Sequence, residues 1–182
     1  MGKYFQKTLR PDIINGDVST VIASNKADVP FQIGDLLFDW TPVDIPMGTD
    51  SIIDAVIHSY GEDGSAQPGG DFHLLIAKSN NGAAPTSLGA VNSAPAGCFE
   101  LPDILIGMMK FEGTTSGAGN LDLGQVGTFW YWNIGGGNGD TGPVVIEPEQ
   151  NALGGATTNR IYIGAIHGIN SSGQFDFSTG VL

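Results

Sequence analysis

The chain has 182 residues, 41% of them hydrophobic and only 14% charged, with 28 glycines and 10 prolines. Nineteen acidic against seven basic side chains leave a formal net charge of −12, which argues against nucleic acid as a partner, because phosphates demand clustered cations. No apolar run reaches the ~18 residues of a membrane span, the start Met-Gly-Lys-Tyr-Phe-Gln-Lys lacks a signal-peptide core, and Gln6 stands where myristoylation needs Ser or Thr. A soluble protein with no membrane partner is expected. The length suits one core, so a single β-rich domain over 1–182 is expected, with residues 1–10 as an N-terminal docking arm. The lone Cys98 excludes an intramolecular disulfide and reads as a small buried apolar residue.

Taken in order, Tyr4 to Leu9 alternates loosely, and Ile13-Ile14 meets Val18 to Ile22 across Asn15-Gly16, a dipeptide suited to a tight hairpin turn. Pro11 belongs at an edge or a bulge. Phe31 to Ile33 and Asp35 to Trp40 read as strand, and Thr41 to Pro46 as an extended connection to the hairpin that follows. Two runs rich in β-branched residues, 51–60 and 72–79, flank a segment of Gly, Pro and Asp that cannot hold a helix, so a long central β-hairpin is expected. Thr49 and Asp50 would also cap a helix carrying Ile52, Ile53, Val56, Ile57 and Tyr60. The strand is preferred because Ile and Val lose side-chain freedom in helices.

Residues 79–97 are polar and small and read as irregular surface. Ile104 to Phe111 is apolar on both alternating faces, as expected of a strand covered on two sides. After the flexible Gly113 to Gly119 come Val126 to Ile134, a glycine loop at 135–142, Val144 to Ile146, a loop through Thr158, Ile161 to His167 and Phe175 to Phe177. Roughly nine or ten strands and negligible helix predict an all-β fold, a β-sandwich of jelly-roll-like or immunoglobulin-like kind.

Chemistry is sparse. Gly137 to Gly142 matches G-x-G-x-x-G, but Pro143-Val144-Val145-Ile146 follows where a phosphate-binding loop needs a helix, so no nucleotide cofactor is expected. No Walker loop, H-E-x-x-H or G-x-S-x-G occurs, and no catalytic residue is assigned. Pairing in the expected hairpin would bring His58 and His73 together near Asp54, Glu62 and Asp71. A metal site needs a third matched donor and an unslipped register, so no metal is assigned. Glu62, Asp63 and Asp140 lack the spacing of a calcium loop and read as solvated turn residues. Asn170-Ser171-Ser172 is a formal glycosylation sequon, read here as a turn.

Candidate interface residues fall in two places. Lys3, Lys7 and Arg10 put three of the seven basic side chains on the first ten residues, beside Tyr4, and such an arm suits an acidic neighbour; its alternative is an ordinary first strand with solvated lysines. In the cluster Phe129-Trp130-Tyr131-Trp132, strand alternation points Trp130 and Trp132 one way, toward the core or toward a sugar or protein partner.

Phe38-Asp39-Trp40-Thr41-Pro42-Val43-Asp44-Ile45-Pro46, then Asp71 to Ser79, then the glycine-rich loops, resemble small virion structural proteins of tailed bacteriophages, of the capsid decoration or cement kind. The resemblance lies in overall style along residues 31–182 and rests on no signature motif. It implies a non-enzymatic, homo-oligomeric protein, assembled in the host cytoplasm onto the phage particle surface, whose partner is the major capsid protein or another virion protein. A carbohydrate- or receptor-binding, lectin-like or tail-associated module that uses the tryptophans is the alternative, and a hydrolase a more distant one.

Overall fold

A computed structural model describes residues 5–9, 11, 32–46, 48–52, 54–59, 72–96, 100–111, 120–122, 128–133, 143–149 and 158–168. The runs rich in β-branched and aromatic residues form strands, because a pleated surface accommodates their stiff side chains better than a helix does. They are β1 (Leu36–Asp44), β2 (Asp50–Ile52), β3 (Asp54–Ser59), β4 (Phe72–Lys78), β5 (Leu105–Phe111), β6 (Asn120–Asp122), β7 (Thr128–Asn133), β8 (Val144–Ile146) and β9 (Arg160–His167). One short helix, α1 (Leu101–Ile104), has proline in its first turn, where a missing amide is harmless. The described chain is thus strand-dominated with almost no helix, as expected, and every strand pairing is antiparallel.

The sheets run β1-β9-β4-β5, β2-β8 and β3-β7-β6. The expected central hairpin is not formed. β4 lies between β5 and β9, whereas β3 pairs β7, so the two apolar runs belong to different sheets. His58 stands opposite Phe129 and His73 opposite Lys110 and Ile166, so the two histidines do not sit on paired rungs of one hairpin. Turn residues between two strands show that the chain turns, not that the strands pair with each other. β9 pairs β4 along its whole length and supplies Ile161, Ile163 and Ala165 to the same core as Leu74 and Ile76. The expected connection at 41–44 is also strand: β1 continues through Pro42, which is admissible because β1 pairs only β9 among the described residues.

One face of the four-stranded sheet carries the main core, with Leu37, Val43, Leu74, Ile76, Met109, Phe111 and Ile161 packed with Ile146 of β8 and with Ala55 of β3. The other face holds Leu36, Leu75 and Leu88, flanked by Trp40, Leu101 and Ile166. Leu88 is completely buried, which corrects the expectation of irregular surface for 79–97. That segment lies against the sheet. Asn92 N donates to Leu36 O (2.8 Å), Leu36 N to Ser93 O (2.9 Å), Leu88 N to the Asp39 carboxylate (2.8 Å) and Trp40 Nε1 to Thr86 O (3.0 Å). Small side chains let this cover approach closely: a Cβ on Gly164 would lie 3.0 Å from Leu88 and 3.2 Å from Trp40. β5 departs from expectation as well. Met109 and Phe111 are buried, but Leu105 and Met108 are 39% and 50% exposed, because β5 ends its sheet among the described residues.

Candidate functional site

The arm and the corner it meets are built from three segments. Phe5–Leu9 forms no strand, and among the described residues no backbone hydrogen bond ties it to the body. Phe5, Gln6, Lys7 and Thr8 are exposed; Leu9 alone is partly buried, packed against the main core cluster. An apolar side chain escaping water holds the strap, while its amides and carbonyls stay solvated. β1 and β9 run antiparallel so that Asp44 and Arg160 face each other across the sheet end. Arg160 Nε donates to Asp44 Oδ1 at 2.8 Å and its Nη2 to Oδ2 at 3.4 Å, with both side chains about half exposed. The hydrogen bond from Arg160 holds the Asp44 carboxyl below its ordinary value, outweighing desolvation, and the charges of Arg160 and then Lys7 add to this. The same pairing raises Arg160. Lys7 therefore lies within electrostatic reach of Asp44.

A second polar cluster closes the turn after β4. The buried Ser79 hydroxyl donates to Glu149 Oε2 (2.6 Å) and lies 3.0 Å from the Thr158 hydroxyl, and the same carboxylate accepts from Asn81 N (2.9 Å) and Gly82 N (2.7 Å). On the other side, Glu100 accepts from Asn80 Nδ2 (2.5 Å) and from the Thr86 amide. Asn81 and Gly82 both have positive φ, 51° and 80°, a conformation that asparagine and glycine tolerate best. Burial works to raise Glu149, but the Ser79 hydroxyl, the Gly82 and Asn81 amides and the Lys78 charge together hold it below its ordinary value. The Thr86 amide does the same for Glu100 against desolvation, aided by Asn80. These carboxylates are acceptors locked into a turn, which suits shape rather than proton transfer. Sequence reasoning missed both, since neither spacing nor composition links Glu149 to Ser79.

Of the residues singled out from sequence, Lys7 is exposed in the strap, and Lys3, Tyr4 and Arg10 lie outside the described residues. Trp130 stands opposite Ile57 and Asn120 in register, and Trp132 opposite Ala55; Ala55 packs against the core, whereas Val56, opposite Tyr131, is 66% exposed. Cys98, Glu62, Asp63, Asp140, Asn170, the Asn15-Gly16 turn, the glycine loops at 113–119 and 135–142, and Phe175 to Phe177 also lie outside the described residues. Among the described residues no cluster of three metal-ligating side chains occurs, and no helix is long and apolar enough to cross a membrane. Leu9, Asp44 and Arg160 went unnoticed in the sequence. The available signal was faint: Leu9 is an apolar residue between two cations, Lys7 and Arg10. Comparison with protein-family models, with curated proteins and with solved structures found no match.

Proposed function

We propose that this chain is a non-enzymatic virion structural protein of the capsid decoration or cement kind, binding the assembled major capsid protein or another virion protein through repeated copies of itself. The observation that carries this reading is the strap Phe5–Leu9: exposed, free of backbone pairing to the described body, and held by Leu9. An extended segment of this kind offers amides, carbonyls and alternate side chains for strand addition, and many identical weak contacts become firm on a lattice. In the finer fold the reading takes a β-sandwich, supported by the core cluster that draws Ile76 and Ile163 of the four-stranded sheet together with Ile146 and Ala55 of the other two. Carboxylates spent on a turn fit a protein that needs shape more than titrating groups.

The test is deletion of Met1 to Arg10 followed by cofractionation with purified phage particles. The shortened chain should keep its melting temperature within a few degrees, because among the described residues of the segment Leu9 alone packs on the core cluster, and should lose particle binding. A full-length chain that never cofractionates with particles and is retained on glycan arrays through Trp130 or Trp132 would replace this reading with the lectin-like one.

A further inference from the structure

Asn81-Gly82 is a chemically unstable pair held in a defined shape. It forms the centre of a tight turn: Asn80 N donates to Ala83 O (2.9 Å), Ala83 N donates to Asn80 O (3.0 Å), and φ is 51° at Asn81 and 80° at Gly82. Positive φ at both central positions is the type I′ arrangement, for which Asn-Gly is a favoured sequence. The same dipeptide is the one most open to self-modification, because glycine has no side chain to shield its nitrogen from the asparagine before it. Both residues are exposed, so water reaches them.

In that reaction the Gly82 nitrogen loses its proton to hydroxide and bonds to Asn81 Cγ, while the Cγ–Nδ2 bond breaks and the side-chain nitrogen leaves as ammonia. Water then opens the cyclic imide to aspartate or, with the chain rerouted through the side-chain carbon, to isoaspartate. The net change is one water consumed and one ammonia released, with no oxidant or reductant. Two contacts oppose the first step. Glu149 grips both amides, Oε1 accepting from Asn81 N (2.9 Å) and Oε2 from Gly82 N (2.7 Å). A carboxylate against an N–H resists removal of its proton, since a second negative charge would form beside the first. Asn81 Nδ2 also donates to Asn80 Oδ1 (3.2 Å), tying the side chain that must close on Gly82 to the residue on its other side.

We propose that Asn81-Gly82 is a latent self-modification site, deamidated by water at a rate governed by the Glu149 clamp. Conversion is one-way, and its product works against the clamp, because it adds a carboxylate to the turn that Glu149 holds; isoaspartate also lengthens the main chain there. Glu149 takes the Ser79 hydroxyl just after β4 (2.6 Å), and its carbonyl accepts from Thr158 N before β9 (3.2 Å). Loosening it therefore frees the ends of the two central strands of the main sheet.

The experiment incubates the intact chain at mildly alkaline pH, folded and in urea. Peptide mass spectrometry reads deamidation, and enzymatic methyl transfer reads isoaspartate. The chain also holds Asn15-Gly16 and Asn138-Gly139, and in urea all three pairs should react alike, which fixes the unclamped rate. Folded, Asn81 should react at least roughly tenfold more slowly than in urea, and Glu149→Gln, verified to keep a cooperative melting transition, should recover most of that factor. Wild-type protein converted at position 81 should melt lower than unconverted protein. Equal rates at Asn81 in folded and unfolded chains, no product at Asn81 in urea, or a folded Glu149→Gln as slow as wild type overturns the proposal. If Glu149→Gln does not fold, hydrogen exchange of the Gly82 amide in the wild type decides: slowed exchange upholds the clamp, and exchange as fast as in the unfolded chain overturns it.

Discussion

At Gly107 β5 approaches β8: a Cβ there would collide with Val144, a branched side chain on β8 with no soft torsion to yield. Gly107→Ala should therefore destabilise the fold by about 1–3 kcal/mol, as overpacking of a filled core does, seen as a lower urea midpoint at constant slope. An unchanged midpoint would show that β8 yields. Glu149 makes a different prediction. Its folded pKa lies below the ordinary glutamate value of 4.5, so the folded state holds the proton less tightly than the unfolded chain does. The stability it contributes is complete above that value and is lost as pH falls through the folded pKa. Glu149→Gln keeps an acceptor oxygen but no longer titrates, so the variant should melt lower at neutral pH and lose less on acidification below 4.5. Parallel melting curves for the two proteins across that range would remove Glu149 from the acid response, leaving Glu100, which shifts in the same direction.

At the scale of elements, β4, like β9 beside it, depends on its neighbours, since it is paired on both edges and buried on both faces by Leu74, Leu75, Ile76 and Ala77. Leu75→Asp places a carboxylate among Leu36 and Leu88 and should abolish soluble folding, because an unpaired buried charge costs several kcal/mol against a total stability of about 5–15. Soluble protein with unchanged melting would displace β4 from the sheet interior. The strandedness of β4, β8 and β9 was legible because short apolar runs bounded by Gly and Pro leave little alternative. Their partners were not. Register is set by which apolar faces share a core, and Ile76 meets Ile163 only after a long excursion of the chain. The segment 79–97 was misread for a related reason: its small polar residues look like surface, yet Leu88 and Pro85 are buried against a sheet whose own small residue, Gly164, makes room.

At the scale of the molecule, the proposed assembly would join copies that each carry a basic arm of three cations on a remainder at −15, so association between copies should be electrostatic in part and weakened by added salt through screening. Sedimentation across a salt series measures this; association that strengthens with salt would point to apolar contacts, with the exposed Met108 and Val145 as the first residues to test. What the sequence determined by itself was class: dense glycine and proline, few helix-surface residues and β-branched runs leave strands as the economical way to satisfy backbone hydrogen bonds. What only the tertiary structure decided was adjacency. That β4 pairs β9 and not β3, that Glu149 closes a turn begun by Ser79, and that Lys7 lies within electrostatic reach of Asp44 are facts about residues 37 to 95 positions apart or about which edge a strand presents. Local propensity carries no information on such pairs, because hydrophobic burial is non-directional and the partner is chosen by the shape of the whole core.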